Sequence, residues 1–188
     1  MATVHELTPV RAEPDDGAEQ VTQALPGEPL AVEEFRDGWT RVRTAYDYPG
    51  WIRADAVGGE PDPAWLEART ADPVPHARSL LGTRYLWGGM TTAGIDCSGL
   101  VHMSFRATGR LVPRDADQQE DAGEPIAEDE MRPGDLVSYG GPEGADHIAF
   151  WLGGGRILHS TQRDGVDGVV EEDEPAELRA RRRVLFRL

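Results

Sequence analysis

The segment that decides the fold runs from Tyr85-Leu86-Trp87-Gly88-Gly89 to Asp96-Cys97-Ser98-Gly99-Leu100, and its second half contains the only cysteine of the chain. The apolar residues Leu100, Val101 and Phe105 recur at helical spacing, so the pattern predicts a helix that begins at Cys97. A helix N-terminus favours a thiolate over a thiol. A single cysteine cannot form an internal disulfide, and in this position it is a candidate nucleophile.

Length and charge limit the classes of protein that fit. The 188 residues suffice for one medium domain or two small ones, and the formal net charge is −15. Binding to nucleic acid or to an anionic membrane needs clustered cations, so we expect neither partner. All 19 basic residues are arginine, which excludes a lysine nucleophile.

The location of the protein is predicted from what the sequence does not contain. No apolar run approaches the roughly 18 residues that cross a bilayer. The N-terminus, 1–7, has neither a basic start nor an apolar core, so no secretory signal is recognised. We therefore expect a cytoplasmic protein, unless it is exported by a non-classical route.

The N-terminal third is predicted to be a small β-barrel that occupies residues 1–60. Short apolar runs alternate with turns that contain glycine, which is typical of such barrels. The predicted strands are 20–24, 30–35, 39–43 and 50–53, with a helical turn at 54–57. A linker follows at 61–75, with a short helix predicted from Ala64 to Thr70.

Residues 76–188 are predicted to form a second domain of the α+β class. A helix over 76–81 and the helix that begins at Cys97 come first, and 115–130 combines a helix with a loop. Antiparallel strands follow at 136–139, 147–152, 156–160 and 182–187. Helices first and hairpins afterwards are the order that an α+β fold shows.

Two histidines are placed to assist the cysteine. His147 opens one predicted strand and His159 ends the next, so an antiparallel turn brings them to one face. One imidazole can then accept the thiol proton of Cys97 while the other holds the first in its tautomer.

The motifs of the second domain together resemble the NlpC family of papain-like cysteine peptidases. The resemblance covers about residues 76–188. Its motifs are Tyr85-x-Trp87-Gly88-Gly89, Asp96-Cys97-Ser98-Gly99-Leu100, Pro113-Arg114-Asp115, Gln119, Pro133-Gly134-Asp135-Leu136-Val137, His147-Ile148-Ala149 and Leu158-His159-Ser160. The N-terminal region is similar to a bacterial SH3-like barrel, through Pro26-Gly27-Glu28, Gly38-Trp39-Thr40-Arg41-Val42 and Gly50-Trp51-Ile52. The resemblance implies a papain-like fold whose nucleophile helix packs on an antiparallel sheet.

A narrower resemblance is to the γ-D-glutamyl-L-diamino acid endopeptidases. The stretches that carry it are Asp47-Tyr48-Pro49-Gly50-Trp51, Tyr85-Leu86-Trp87-Gly88-Gly89, Arg114-Asp115-Ala116-x-Gln118-Gln119 and Arg163-Asp164-Gly165. It implies hydrolysis of murein peptides that carry a free N-terminal L-alanine, in cell-wall peptide recycling. It also implies that the barrel packs on the catalytic domain and closes one end of the cleft.

The resemblance assigns roles residue by residue. The catalytic set falls on Cys97, His147 and His159. Substrate contacts fall on Tyr48 and Asp96 for the α-amine, Tyr85 at the oxyanion site and Ser98 for the peptide. No cofactor or metal is implied, and the partner is a small murein peptide.

Alternatives stay open at this point. The thiol and the two imidazoles are acceptable zinc ligands, although no fourth ligand is evident. Thioester chemistry also serves amidases and acyltransferases. A non-catalytic peptide-binding module is a third hypothesis. The sequence leaves undecided whether the diamino acid is diaminopimelate or lysine, how strict the amine requirement is, and the oligomeric state.

Overall fold

A computed structural model describes residues 1–188, which form two compact units, Met1–Glu67 and Ala68–Leu188. The strands are Thr8–Arg11 (β1), Gln20–Ala24 (β2), Leu30–Arg36 (β3), Trp39–Thr44 (β4), Pro49–Arg53 (β5), Met90–Thr91 (β6), Gly94–Ile95 (β7), Glu124–Pro125 (β8), Leu136–Gly141 (β9), Gly144–Gly153 (β10), Arg156–Arg163 (β11), Val166–Asp173 (β12) and Arg182–Arg187 (β13). The helices are Pro73–Ser79 (α1), Cys97–Arg106 (α2), Ala116–Ala122 (α3) and Ala176–Arg179 (α4), with 3₁₀ turns at Ala54–Ala56 and Glu128–Glu130.

The N-terminal unit is one antiparallel sheet of five strands in the order β2-β1-β5-β4-β3. The four predicted strands are present, and the structure adds β1. Alternation of apolar and polar residues along β4 buries Val42, while the polar neighbours on the strand stay partly exposed. The buried core consists of Val4, Val10, Ala24, Leu30, Val42 and Ile52. The unit is SH3-like, as predicted.

The prediction of a helix from Ala64 to Thr70 was wrong. The chain makes two successive turns here, in which Trp65 N–H donates to Asp62 O and Glu67 N–H donates to Ala64 O. The N–H groups of Arg69 and Thr70 donate instead to Ala107 O, at 2.8 and 3.1 Å. Since a helix of one or two turns has too few internal bonds to offset nucleation, these external bonds decide the conformation.

The C-terminal unit contains an antiparallel sheet of six strands in the order β12-β11-β10-β9-β13-β8. Helices α2 and α3 pack on β10, and α1 packs against α2. The core between helices and sheet is centred on Leu100, Phe105, Ile148 and Phe150, all nearly inaccessible to solvent. The packing of α1, α2 and α3 on one face of an antiparallel sheet confirms the predicted α+β class.

Several elements of this unit differ from prediction, and the short strands β6, β7 and β8 and the helix α4 were not predicted. Helix α1 begins at Pro73 instead of His76, because the Asp72 side chain accepts the Val74 N–H at 2.8 Å and proline suits the first helical position. Strand β12 was not predicted, although Asp164-Gly165 is a typical hairpin turn. β12 pairs with β11 along its whole length, from Arg163 opposite Val166 to Arg156 opposite Asp173.

Candidate active site

Cys97 is the first residue of α2, as predicted, and its side chain is buried. Asp96 caps the helix by accepting the Gly99 N–H at 2.6 Å. Backbone N–H groups of Ser98 and Ile148 hydrogen-bond the sulfur. The second of these contacts brings the sulfur next to the part of β10 that carries His147.

Burial of the thiol opposes the thiolate that the start of a helix favours. Burial raises the pKa of Cys97 to about 12, and the negative charge of Asp96 acts in the same direction. The two backbone N–H groups and the Arg114 charge lower the pKa but do not outweigh burial. Sequence reasoning considered only the helix N-terminus, because burial depends on the packed sheet.

The two histidines lie side by side on one face of the sheet. Phe150 on β10 is opposite Leu158 on β11, and counting from this pair places His147 and His159 on the same face, diagonal to each other. Their rings meet edge to face with centroids 5.0 Å apart, and His147 Nε2 lies 2.7 Å from His159 Nδ1. The predicted proximity of the two imidazoles is present in the structure.

Both imidazoles are neutral at pH 7. Burial lowers the pKa of His147 to about 3, and the neighbouring His159 adds to the effect. Burial and the positive charge of Arg163 lower the pKa of His159 to about 4. A neutral imidazole can accept a proton, which is what a general base requires. Because the two rings are bonded to each other through Nε2 and Nδ1, those nitrogens do not converge on a common metal position.

The hydrogen-bonded chain continues beyond the predicted residues. His159 Nε2 lies 2.8 Å from Glu172 Oε1, and Arg163 donates to both carboxylate oxygens of Glu172 at 2.9 and 2.6 Å. Sequence reasoning missed Glu172 because β12 was not predicted. The Asp164-Gly165 turn was the available signal, since it implies a hairpin that places Glu172 near His159.

Asp96 is bonded to a buried cation. Arg114 is almost fully buried and donates to Asp96 Oδ1 and Oδ2 at 3.0 and 2.8 Å, and to Ser98 Oγ at 2.9 Å. Asp96 Oδ2 also accepts the Gly88 N–H at 2.7 Å. Asp96 therefore joins the loop before the cysteine to the start of α2. A contact of Asp96 with a substrate amine stays a prediction. It would be made in addition to the hydrogen bonds that Asp96 already accepts.

Close packing at this joint leaves no room for a side chain at Gly99. A Cβ atom there would lie 2.3 Å from Gly89 O and 2.8 Å from Asp96 Oδ1. Only glycine permits the loop and the first turn of α2 to approach this closely.

We expect Arg114→Met to destabilise the protein by about 3–5 kcal/mol, because it leaves the buried carboxylate of Asp96 without its cation. Urea unfolding followed by circular dichroism measures the change. Arg156→Met is the control, since Arg156 is half exposed and its surface ion pair with Glu171 contributes little to the free energy of unfolding. We expect the double variant Arg114→Met/Asp96→Asn to recover part of the lost free energy of unfolding. An Arg114→Met protein as stable as the parent would contradict this account.

Tyr85 lies beside the cysteine. It forms an isolated parallel bridge with Ile95, directly before Asp96. Burial raises the pKa of Tyr85, and the neighbouring Cys97, when it is ionised, and the Asp96 carboxylate raise it further, so the phenol stays protonated. Tyr85 and His147 both line a cavity of about 420 Å³. The remaining lining residues are Asp146, Thr161, Gln162, Arg163, Glu177, Leu178 and Arg181.

Tyr48 belongs to the N-terminal unit, at the turn between β4 and β5. Its N–H donates to Thr44 Oγ1 at 3.0 Å, and its ring lies 6.3 Å from that of Tyr46. Its predicted contact with substrate stays a prediction.

Comparisons with known proteins agree on both units. A model of the NlpC/P60 family matches residues 82–179, and a model of the bacterial dipeptidyl-peptidase Sh3 domain matches residues 10–57. A gamma-D-glutamyl-L-lysine dipeptidyl-peptidase of Bacillus subtilis is 35% identical over 136 residues, which is 70% of this chain and 44% of that protein. The peptidoglycan endopeptidase RipB of Mycobacterium tuberculosis is 35% identical over 105 residues, 49% of this chain and 43% of that protein. The chain thus spans less than half the length of these relatives.

Solved structures resemble the fold. An NlpC/P60 family protein from Bacillus cereus aligns with a TM-score of 0.59 at 19% identity, over 99% of this chain and 62% of that chain. The NlpC/P60 domain of the peptidoglycan hydrolase SagA aligns with a TM-score of 0.54 at 32% identity, over 63% of this chain and 97% of that chain.

Proposed function

Because the chain belongs to the NlpC/P60 family of cysteine peptidases, we propose that it hydrolyses the γ-D-glutamyl–L-diamino acid bond of small murein peptides. The observation that carries the proposal is a pair of imidazoles whose His147 Nε2 and His159 Nδ1 lie 2.7 Å apart, with His147 on the strand whose Ile148 N–H hydrogen-bonds the buried thiol at the start of α2. This arrangement supports the proposed roles of nucleophile, base and orienting group in acyl transfer.

The proposed reaction uses Cys97, His147 and His159. As the sulfur attacks the γ-glutamyl carbonyl, its proton passes to His147, whose partner His159 keeps the ring in place. The C–N bond then breaks, the leaving amine takes the proton from His147, and a thioester remains. Water, deprotonated by His147, hydrolyses the thioester and restores the thiol.

The oxyanion is proposed to bind at the start of α2. The first N–H groups of a helix have no acceptor within the helix, so the Cys97 N–H is placed to donate to the developing charge. Tyr85, a protonated phenol near the sulfur, is the second proposed donor. Each such donor is worth about 3–4 kcal/mol of transition-state stabilisation in known cases.

The leaving diamino acid is proposed to occupy the cavity that Tyr85 and His147 line. Its wall carries charges of both signs, from Asp146 and Glu177 and from Arg163 and Arg181. Such a wall suits a product fragment with an ammonium and a carboxylate group. The relative from Bacillus subtilis is named for a γ-D-glutamyl-L-lysine bond, which supports this substrate class.

A role in peptide recycling is part of the proposal. The net charge of −15 disfavours anionic wall polymers, whereas short peptides carry few charges to repel. No helix of the structure is both long enough and apolar enough to cross a membrane.

The direct test is incubation with L-Ala-γ-D-Glu-diamino acid tripeptides that contain either diaminopimelate or lysine. We expect mass spectrometry to detect L-Ala-D-Glu from at least one of them. Release of acyl groups from N-acyl amides or lipids, with both tripeptides intact, would instead support an amidase or acyltransferase.

N-acetylation of the tripeptide tests the requirement for a free amine. We expect kcat/KM to fall by about 10- to 100-fold, because a charge-assisted hydrogen bond of about 1.5–3 kcal/mol is lost. Because Tyr48 is proposed to contact the amine, the variant Tyr48→Phe is expected to reduce the ratio of kcat/KM between the free and the N-acetylated tripeptide. Equal rates on both peptides in the parent enzyme would remove the amine requirement and leave the hydrolase proposal intact.

A further inference from the structure

We infer that Glu172, held by Arg163, is a positioning residue that sets the tautomers of both imidazoles and so leaves one nitrogen of His147 free to act as base. The inference rests on the proposed roles of Cys97, His147 and His159. It concerns a contact that lies two hydrogen bonds away from the base.

The direction of each hydrogen bond in the series from His147 to Arg163 follows from the contact at the Arg163 end. Two donor groups of Arg163 point at the two carboxylate oxygens of Glu172, and a carboxylate can only accept hydrogen bonds. The hydrogen between His159 Nε2 and Glu172 Oε1 therefore belongs to the histidine.

The same logic passes to the second ring. His159 is a neutral imidazole, so a hydrogen on Nε2 leaves Nδ1 as an acceptor. His147 Nε2 must then donate across the 2.7 Å contact to His159 Nδ1. His147 Nδ1 is consequently without a hydrogen and is the nitrogen available to the thiol proton.

The fold holds Glu172 in the required place. Glu172 is opposite Ile157 on β11, and His159 is opposite Val170 on β12, so the two side chains are diagonal neighbours on one face of the hairpin. The forked contact with Arg163, from the end of β11, fixes the plane of the carboxylate. The Glu172 side chain is 24% exposed, and without Arg163 it would be free to turn to solvent.

The opposite tautomer is the state that Glu172 excludes. With a hydrogen on His159 Nδ1, that ring would donate to His147 Nε2, and the His147 hydrogen would then lie on Nδ1, the nitrogen that is proposed to act as base. Such an enzyme has no base for the thiol proton. Without the carboxylate, nothing in the pair itself prefers one arrangement, so both become populated.

The test compares Glu172→Ala with Glu171→Ala. Glu171 is the adjacent residue of β12, and it contacts Arg78 and Arg156 rather than the histidines. Two-bond ¹H–¹⁵N spectra of the resting protein assign the hydrogen on each imidazole without any substrate. In the parent and in Glu171→Ala we expect hydrogens on Nε2 of His147 and His159, and in Glu172→Ala a mixture of tautomers.

Kinetics on the tripeptide provide the second measurement. We expect Glu172→Ala to lower kcat by about 10- to 100-fold, as the loss of outer partners of functional histidines does at metal centres, with KM nearly unchanged. Glu171→Ala should keep the parent kcat. A Glu172→Ala protein with both parent tautomers, or with the parent kcat, overturns the inference. Because the spectra need no turnover, they decide the tautomers even if the proposed substrate is wrong.

Discussion

Cys97→Ala is expected to lower the release of L-Ala-D-Glu from the tripeptide by about 10⁶-fold, to the limit of detection. The reason is that Cys97 is the only thiol in the chain and is the first residue of α2. Mass spectrometry of timed reactions measures the product. Substantial release by this variant would end the peptidase proposal for this site.

Folding is the necessary control for Cys97→Ala. The substitution removes one buried sulfur, so the variant should unfold in urea close to the parent midpoint and still bind tripeptide. A parent enzyme stopped with acid during turnover should carry an added L-Ala-D-Glu mass on Cys97, and the variant none. Alkylation is a weaker test, because the Cys97 side chain is buried and a reagent reaches it slowly even in an active enzyme.

His147→Ala has the second-largest expected effect, a fall in kcat of about 10⁴-fold. The physical reason is that burial raises the pKa of the Cys97 thiol, so a base must take the proton as the bond to carbon forms. Initial rates with saturating tripeptide give kcat directly.

The control for His147→Ala is His76→Ala, since His76 lies on α1 and makes no contact with the imidazole pair. That variant should keep the parent kcat within about twofold. Cys97 and His147 act as one unit, so the double variant should be no slower than Cys97→Ala alone. If the double variant lost the product of the two single losses in rate, another group would be shown to accept the proton. A His147→Ala enzyme with a rate close to that of the parent would show the same.

The sequence was sufficient for the parts of the site that local patterns determine. The helix start at Cys97 follows from Asp96 and the apolar spacing behind it, and the proximity of His147 and His159 follows from two adjacent strands. The predicted resemblance to the NlpC family was confirmed by the family match. The assigned substrate contacts, Tyr48 among them, stay predictions.

What sequence reasoning missed depends on contacts between distant segments. The ion pair of Asp96 with Arg114 joins positions 18 residues apart, and neither residue type signals burial by itself. The raised pKa of Cys97 has the same origin, because burial is produced by the whole sheet and its helices. Glu172 was missed for a simpler reason. Strand β12 was not predicted, so its pairing with β11, which brings Glu172 close to His159, was not considered.

The position of β12 at the rim of the sheet has a consequence for how the enzyme loses activity. The backbone of its outer edge is bonded to the preceding chain near Val169, which pairs with Gly82 and Thr83, and Arg78 of α1 adds side-chain bonds to Glu171. Glu172 lies beyond the backbone contact, toward the strand end. Local opening there would release the carboxylate while the rest of the unit stays folded. With the inferred role of Glu172, such an opening would lower activity before the protein unfolds globally.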